Sequence, residues 1–139
     1  MTPHAVGVLD TNAVILLERL RPSELPREPL ITTISLAELS AGPLAARESA
    51  EAEARQARLQ EAEAAFDPLA FDAPAARVFG RVAAALRRGG RQIKPRAFDA
   101  LIASTAIANG LPVYTCNPRD FNDIEGLELV SIPHPDNRG

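Results

Sequence analysis

Strand-like apolar runs at residues 5–9, 30–33, 113–115 and 127–132 are only a few residues long, and helix-length segments separate them. Parallel neighbours in a sheet need a crossover of about a dozen residues or more, usually a helix. The chain supplies such crossovers. Residues 11–20 read as a helix, followed by an irregular stretch punctuated by Pro22, Pro26 and Pro29. Ser35 reads as an N-cap with Glu38 three residues on, as in a capping box, and Gly42-Pro43 is expected to stop that helix after about Ala41. Residues 44–66, rich in Ala, Glu and Arg, read as one long, partly exposed helix with Glu51 and Arg55 paired at i,i+4 spacing. Leu69 to Phe71 is a further short strand candidate. Asp72 is expected to cap a helix reaching about Arg88, with Val78, Val82, Ala85 and Leu86 on one face and Gly89-Gly90 at its end. A last helix covers 97–109, closed by Asn109-Gly110. The alternation predicts an α/β fold, a mainly parallel central sheet between two layers of helices. A length of 139 residues suits one domain over 1–132 with a polar tail over 133–139.

In such sheets ligands gather beyond the carboxyl ends of the strands. Asp10 closes the first apolar run. Asp120 and Asn117 follow the run at 113–115, while Glu38 and Asp99 interrupt the apolar patterns Ile34–Leu39 and Phe98–Ala103. A carboxylate in a core-like stretch is costly unless a cation, a partner or a proton compensates it. The four acids therefore form a metal-site hypothesis, with Asp10 and Asp99 as the leading direct ligands. Glu38, Asp120 and Asn117 are further candidates, either direct or through water. Magnesium or manganese suits oxygen ligands of this kind, and such an ion makes water a better nucleophile toward phosphorus. Thr11 and Thr115 are placed to orient that water or a phosphate oxygen. Each acid also has a local explanation: Asp10 as a helix cap, Glu38 as the partner of Ser35, Asp99 as a first-turn acid, and Asp120 or Asn117 as turn residues. Taken together, those explanations require separate coincidences at several corresponding edges.

Composition narrows the alternatives. The net charge of −3 does not mark a nucleic-acid binder, yet Arg87, Arg88, Arg91, Lys94 and Arg96 fall within ten residues that hold no acid, with Arg77 and Arg81 just upstream. That segment is either a phosphate-contacting patch or a solvated turn. The single Cys116 excludes an intramolecular disulfide and reads as a small buried filler. His4 and His134 lie near the termini and read as surface residues, so paired-histidine chemistry is disfavoured. There is no Gly-x-Ser-x-Gly elbow and no P-loop. Phe66, Phe71, Phe79, Phe98 and Phe121 lie in patterned segments and read as core. No membrane-length apolar segment and no secretory-type apolar core is evident, which favours a bacterial-type cytoplasmic setting.

Val8-Leu9-Asp10-Thr11-Asn12, Ser35-Leu36-Ala37-Glu38-Leu39, Phe98-Asp99-Ala100-Leu101-Ile102-Ala103 and Thr115-Cys116-Asn117-Pro118-Arg119-Asp120-Phe121 resemble, in order, the motifs of PIN-domain proteins. More narrowly they resemble the VapC-type toxins of bacterial toxin–antitoxin pairs. The resemblance implies an α/β/α nuclease fold and a magnesium- or manganese-dependent endoribonuclease that cuts cellular RNA. It also implies neutralisation by a small VapB-like antitoxin, a homodimer, and a toxin–antitoxin hetero-oligomer that meets operator DNA through the antitoxin. The family's acids fall on Asp10, Glu38, Asp99 and the Asn117/Asp120 motif, and the helical region 44–66 would help grip the antitoxin. Asn12 stands where Ser is common. Asn117 stands where many members carry Asp, so the fourth corner is Asn117 or Asp120, with Asp120 favoured for its charge.

Two other readings compete. One is a binding module whose acids shape an interface with little catalysis. The other is a haloacid-dehalogenase-type phosphatase with Asp10 as nucleophile, a motif that wants an acid where this chain has Asn12.

Overall fold

The computed structural model describes residues 5–137. Four strands, β1 (Val6–Leu9), β2 (Glu28–Leu30), β3 (Val113–Thr115) and β4 (Leu129–Ser131), form one sheet in the order β2-β1-β3-β4. Every pairing is parallel, with Val8 opposite Leu30 on one side and Val113 on the other. Five α-helices flank it: α1 (Thr11–Ile15), α2 (Thr33–Ala45), α3 (Ser49–Ala65), α4 (Ala73–Arg88) and α5 (Ala97–Ala108).

The strand period of two divides the core into two layers. Val8 and Val113 point to one side, where Val78, Val82 and Leu86 of α4 and Ile102, Ala103 and Ala106 of α5 cover them. Leu9 and Tyr114 point to the other side, against Val14 of α1, Leu39 of α2 and Leu59 and Ala62 of α3. This is the expected α/β/α sandwich. Cys116 is buried in the second layer, as a filler should be. A close approach fixes Gly7: a Cβ there would lie 2.6 Å from Cε1 of Tyr114, whose ring is only 2% exposed. Among the described residues no helix is long and apolar enough to cross a membrane.

Several local expectations change. The second strand is Glu28–Leu30, not 30–33, and it contains Pro29. Proline is admissible because β2 is an edge strand, where no outer neighbour requires its missing N–H. Leu69 contributes only one bridge, to Thr32. The first helix is one short α-turn followed by a 3-10 turn over Leu17–Arg19. The N-cap of α2 is Thr32, whose hydroxyl accepts from the N–H of Ser35 at 3.2 Å, so Glu38 is released from any capping box. Nor does Gly42-Pro43 end α2. Pro43 sits in its last turn, and Arg55 Nη1 of α3 donates to the Gly42 carbonyl at 2.9 Å, satisfying a C-terminal group that the helix leaves open. Residues 44–66 are consequently the end of α2, a break, and α3, not one helix. Asp72 does cap α4, accepting from the Ala75 N–H at 3.1 Å.

Candidate active site

The sheet order places a topological switch between β1 and β3. The chain leaves β1 toward β2 on one side, whereas β3 continues to β4 on the other, and the diverging connections open a crevice beyond the strand ends. Asp10 follows β1 and a 3-10 turn over Pro118–Phe121, carrying Asp120, follows β3. Glu38 enters from α2 and Asp99 from the first turn of α5. These four acids line one cleft of about 310 Å³, together with Thr11, Asn12, Lys94 and Phe98.

Asp10 is 2% exposed and holds both oxygens in fixed bonds. Oδ1 accepts from the Ala13 N–H at 2.9 Å, capping α1, and Oδ2 accepts from the Thr115 hydroxyl at 2.6 Å. Thr115 in turn accepts from the Asn117 N–H at 2.9 Å. The cap and the site are thus one carboxylate. Glu38 Oε1 accepts from the Thr11 hydroxyl at 2.6 Å, and Thr11 lies 2.9 Å from Ser35 Oγ. Thr11 has one hydroxyl proton and gives it to Glu38, so Ser35 is the donor to Thr11. Both threonines hold acids in place, a role distinct from direct orientation of water or phosphate. Arg96 clamps the loop that carries Asp120: its Nη1 and Nη2 donate to the carbonyls of Asn122 and Arg119 at 3.0 and 2.9 Å. Asn117, by contrast, is not among the residues lining the cleft, which receives Asp120 from the same motif.

Burial raises the proton affinity of Asp10; its bonds from Thr115 and Ala13 oppose the shift, while Asp120 and Glu38 add to it. Asp99 is pushed up to about 7, first by burial and then by repulsion from Asp120, Asp10 and Glu38, against a lowering from Arg96. The cleft is therefore a concentration of negative charge in need of a cation. Among the described residues no three His, Cys, Asp or Glu side chains are arranged so that they could together hold a metal ion. The donor set nevertheless fits a hard divalent ion. Every acid present offers carboxylate oxygen, and magnesium commonly keeps several waters while taking only one or two carboxylates. Asp10 and Asp99 would hold it, and Glu38 and Asp120 line the same cleft.

Phe98 lies elsewhere than its apolar pattern suggests, the basic segment divides between its two readings, and Ser35 gains a place in the site. Phe98 is 56% exposed at the cleft, not core. The basic segment divides: Arg96 is committed to backbone carbonyls and Arg91 to Asp123 at 2.5 Å, leaving Arg87, Arg88 and Lys94 as its cations with no ion pair among the described residues. Ser35, missed as a site residue, supports Glu38 through Thr11; its small polar type between Ile34 and Leu36 was the available signal. His134 is partly buried, lies 3.7 Å from Asp136 and is not among the residues that line the cleft. His4 is outside the described residues.

A parallel sandwich with carboxylates gathered at its switch point defines a hydrolase-type acidic α/β domain. The profile of the PIN domain matches residues 7–127. Ribonuclease VapC5 of Mycobacterium tuberculosis is 34% identical over 134 residues, spanning 94% of this chain and 96% of its own length. The tRNA(fMet)-specific endonuclease VapC of Shigella flexneri is 32% identical over 127 residues, spanning 86% and 92%. Among solved structures, VapBC-5 from Mycobacterium tuberculosis, described as a member of the VapBC family of toxin–antitoxin systems, superposes with a TM-score of 0.80 at 31% identity, covering 92% of this chain and 99% of its own. The chain belongs to the PIN-domain family.

Proposed function

We propose that the protein is a divalent-metal-dependent endoribonuclease toxin, hydrolysing phosphodiester bonds of cellular RNA within one domain over 1–132. The observation that carries this reading is the convergence of Asp10, Glu38, Asp99 and Asp120 from four separate elements on one cleft. The likeness to the VapC ribonucleases supports it. Asp10 and Asp99 bind magnesium, or manganese in its place; Glu38 and Asp120 complete the negative wall, and Asp120 is preferred to Asn117 because it lines the cleft. When bound, the ion supplies Lewis acidity toward the phosphate and offsets charge developing in the transition state. The chain's own part is to fix Asp10 through Ala13 and Thr115, to fix Glu38 through Thr11, and to hold the Asp120 loop with Arg96.

A small VapB-like antitoxin is the proposed protein partner. An apolar groove of about 490 Å³ between α1 and α3, lined by Val14, Ile15, Leu17, Ala62 and Phe66, supports this. A narrower groove carrying Arg55 and Arg58 shares Thr11, Asn12 and Glu38 with the acidic cleft, so a segment seated there reaches the acids. Homodimerisation, contact with operator DNA through the antitoxin, and a cytoplasmic setting complete the proposal. The phosphatase reading has less support because its motif wants an acid where this chain has Asn12, which lines the cleft as a neutral amide.

RNA ends sequenced after brief expression test the proposal. Wild type is expected to create new ends in a defined RNA pool, and Asp10→Asn or Asp99→Asn to abolish them with an unchanged fold by circular dichroism. Full-rate cleavage by either variant would place the chemistry elsewhere. Antitoxin binding with every RNA pool intact would favour the interaction-module reading.

A further inference from the structure

We infer that Phe98 is a nucleobase platform, a positioning residue that stacks on a base of single-stranded RNA beside the phosphate at the carboxylate cleft. This rests on the endoribonuclease reading and names how that site holds its substrate.

The chain has five Phe, one Tyr and no Trp, so aromatic surface is scarce. Tyr114 and Phe121 are each 2% exposed, and Phe66, Phe71 and Phe79 are partly buried, whereas Phe98 is 56% exposed. Of the other exposed large hydrophobics among the described residues, Leu44 lies in the last turn of α2, and Ile15 lines the α1–α3 groove and the neighbouring groove that shares Thr11, Asn12 and Glu38 with the cleft. Phe98 alone of the three lines the cleft itself. Its exposure follows from its place at the start of a helix. Phe98 lies four residues before buried Ile102, on the same side of α5, but in the first turn of the helix, at the lip of the cleft. More than half of that residue is open to solvent.

The chemistry of the lip identifies what would use it. Asp99 is the next residue in the chain, and exposed Lys94 lines the same cleft. A ligand matching this surface carries a phosphate close to a flat apolar face. A nucleotide has that combination, and a metal ion or a free phosphate does not. Stacking on an aromatic ring requires a base that is already splayed from its helix, which selects loops and single strands, and it tolerates any base because each has a π-face. The platform thus contributes register without sequence choice.

Because the chain lacks Trp, Phe98→Trp installs a single indole reporter. Rapid mixing in magnesium with a short single-stranded RNA of mixed sequence is expected to quench its fluorescence. An abasic strand with the same phosphates is expected to bind at least about fivefold more weakly. With the RNA pool that wild type cuts as substrate, Phe98→Ala is expected to raise KM about tenfold, or about 1.4 kcal/mol, with little change in kcat. Phe98→Tyr should restore KM, while Phe98→Leu, apolar but not flat, should not. A wild-type KM in Phe98→Ala, rescue by Phe98→Leu, or equal binding of intact and abasic strands would overturn the platform and return Phe98 to contact with a protein partner. Absence of RNA cleavage by wild type would instead overturn the nuclease reading itself.

Discussion

The hydroxyl of Thr115 donates to Oδ2 of Asp10 at 2.6 Å, joining the ends of β3 and β1 across 105 residues of sequence. The bond crosses the switch point of the sheet, so the orientation of the most buried acid depends on two strands pairing in register. Thr115 is itself fully buried.

Thr115→Val keeps the shape and removes both the donor to Asp10 and the acceptor for the Asn117 N–H. The expected cost is about 1–3 kcal/mol of stability, since buried polar groups lose their partners. The bond normally lowers the proton affinity of Asp10, so its loss should move the rise of cleavage rate to higher pH. Thr115→Ser should retain most of both properties. Denaturant melts and pH–rate profiles check the pair, and a Val variant matching wild type in both would remove Thr115 from the site.

Asp99 gives stability a definite sign against pH. Its proton is held to about 7 in the folded protein, against 3.8 ordinarily, so between those values the folded state binds more protons than the unfolded chain. Metal-free stability from this group therefore falls as pH rises from 4 to 7, and the penalty is complete above that window. Magnesium at one hundred times its pH 8 Kd should stabilise the protein by about 2.7 kcal/mol at pH 8, and the same concentration should stabilise it less at pH 5. Asp99→Asn should flatten the metal-free profile, raise Tm at pH 8 and diminish the magnesium increment. Thermal melts of both proteins, with chelator and with magnesium, measure the difference; an Asp99→Asn variant less stable than wild type at pH 8 without metal contradicts it.

The arginines separate into structural and electrostatic groups. Arg96→Gln releases the carbonyls of Arg119 and Asn122, loosening the loop that carries Asp120. It should lower kcat while leaving the salt dependence of RNA binding unchanged. Neutralising Arg87 and Arg88 should do the reverse, reducing the slope of log affinity against log salt by about one for each phosphate that is no longer neutralised. Filter binding over a salt series and initial rates distinguish the two, and an Arg96 variant that alters only the slope would make it a phosphate ligand.

The layer order and the gathering of the candidate acids in one cleft were legible because each rests on a short-range signal: an apolar run, a crossover length, a carboxylate in a core-like stretch. Asp10 could be placed at a strand end, and Asp72 at a helix start, from their immediate neighbours. What escaped depends on partners distant in sequence. Pro43 looks like a stop until Arg55 arrives from the next helix to occupy the carbonyl of Gly42. Glu38 looks like a cap until Thr32 takes that role and Thr11 takes the carboxylate. Pro29 looks like loop until the sheet order makes its strand an edge. Phe98 fits an apolar pattern as well as Ile102 does, and only the packing of α5 tells the buried residue from the exposed one. Gly7 carries no signal at all without the ring of Tyr114 across from it.

The hydroxyl bonds at the cleft share one direction. Protons are offered from Asn117 to Thr115 to Asp10, and from Ser35 to Thr11 to Glu38, so each two-link relay is polarised toward an acid. Donors aligned head to tail strengthen one another in a low-dielectric setting. Asp10→Asn would therefore do more than delete a charge: its amide would present hydrogens to a hydroxyl already aimed at it, and either that hydroxyl or the amide must turn. The near-isosteric swap that best preserves the shape of this cleft thus leaves one of two donors, the Thr115 hydroxyl or the Ala13 N–H, facing an amide nitrogen that cannot accept.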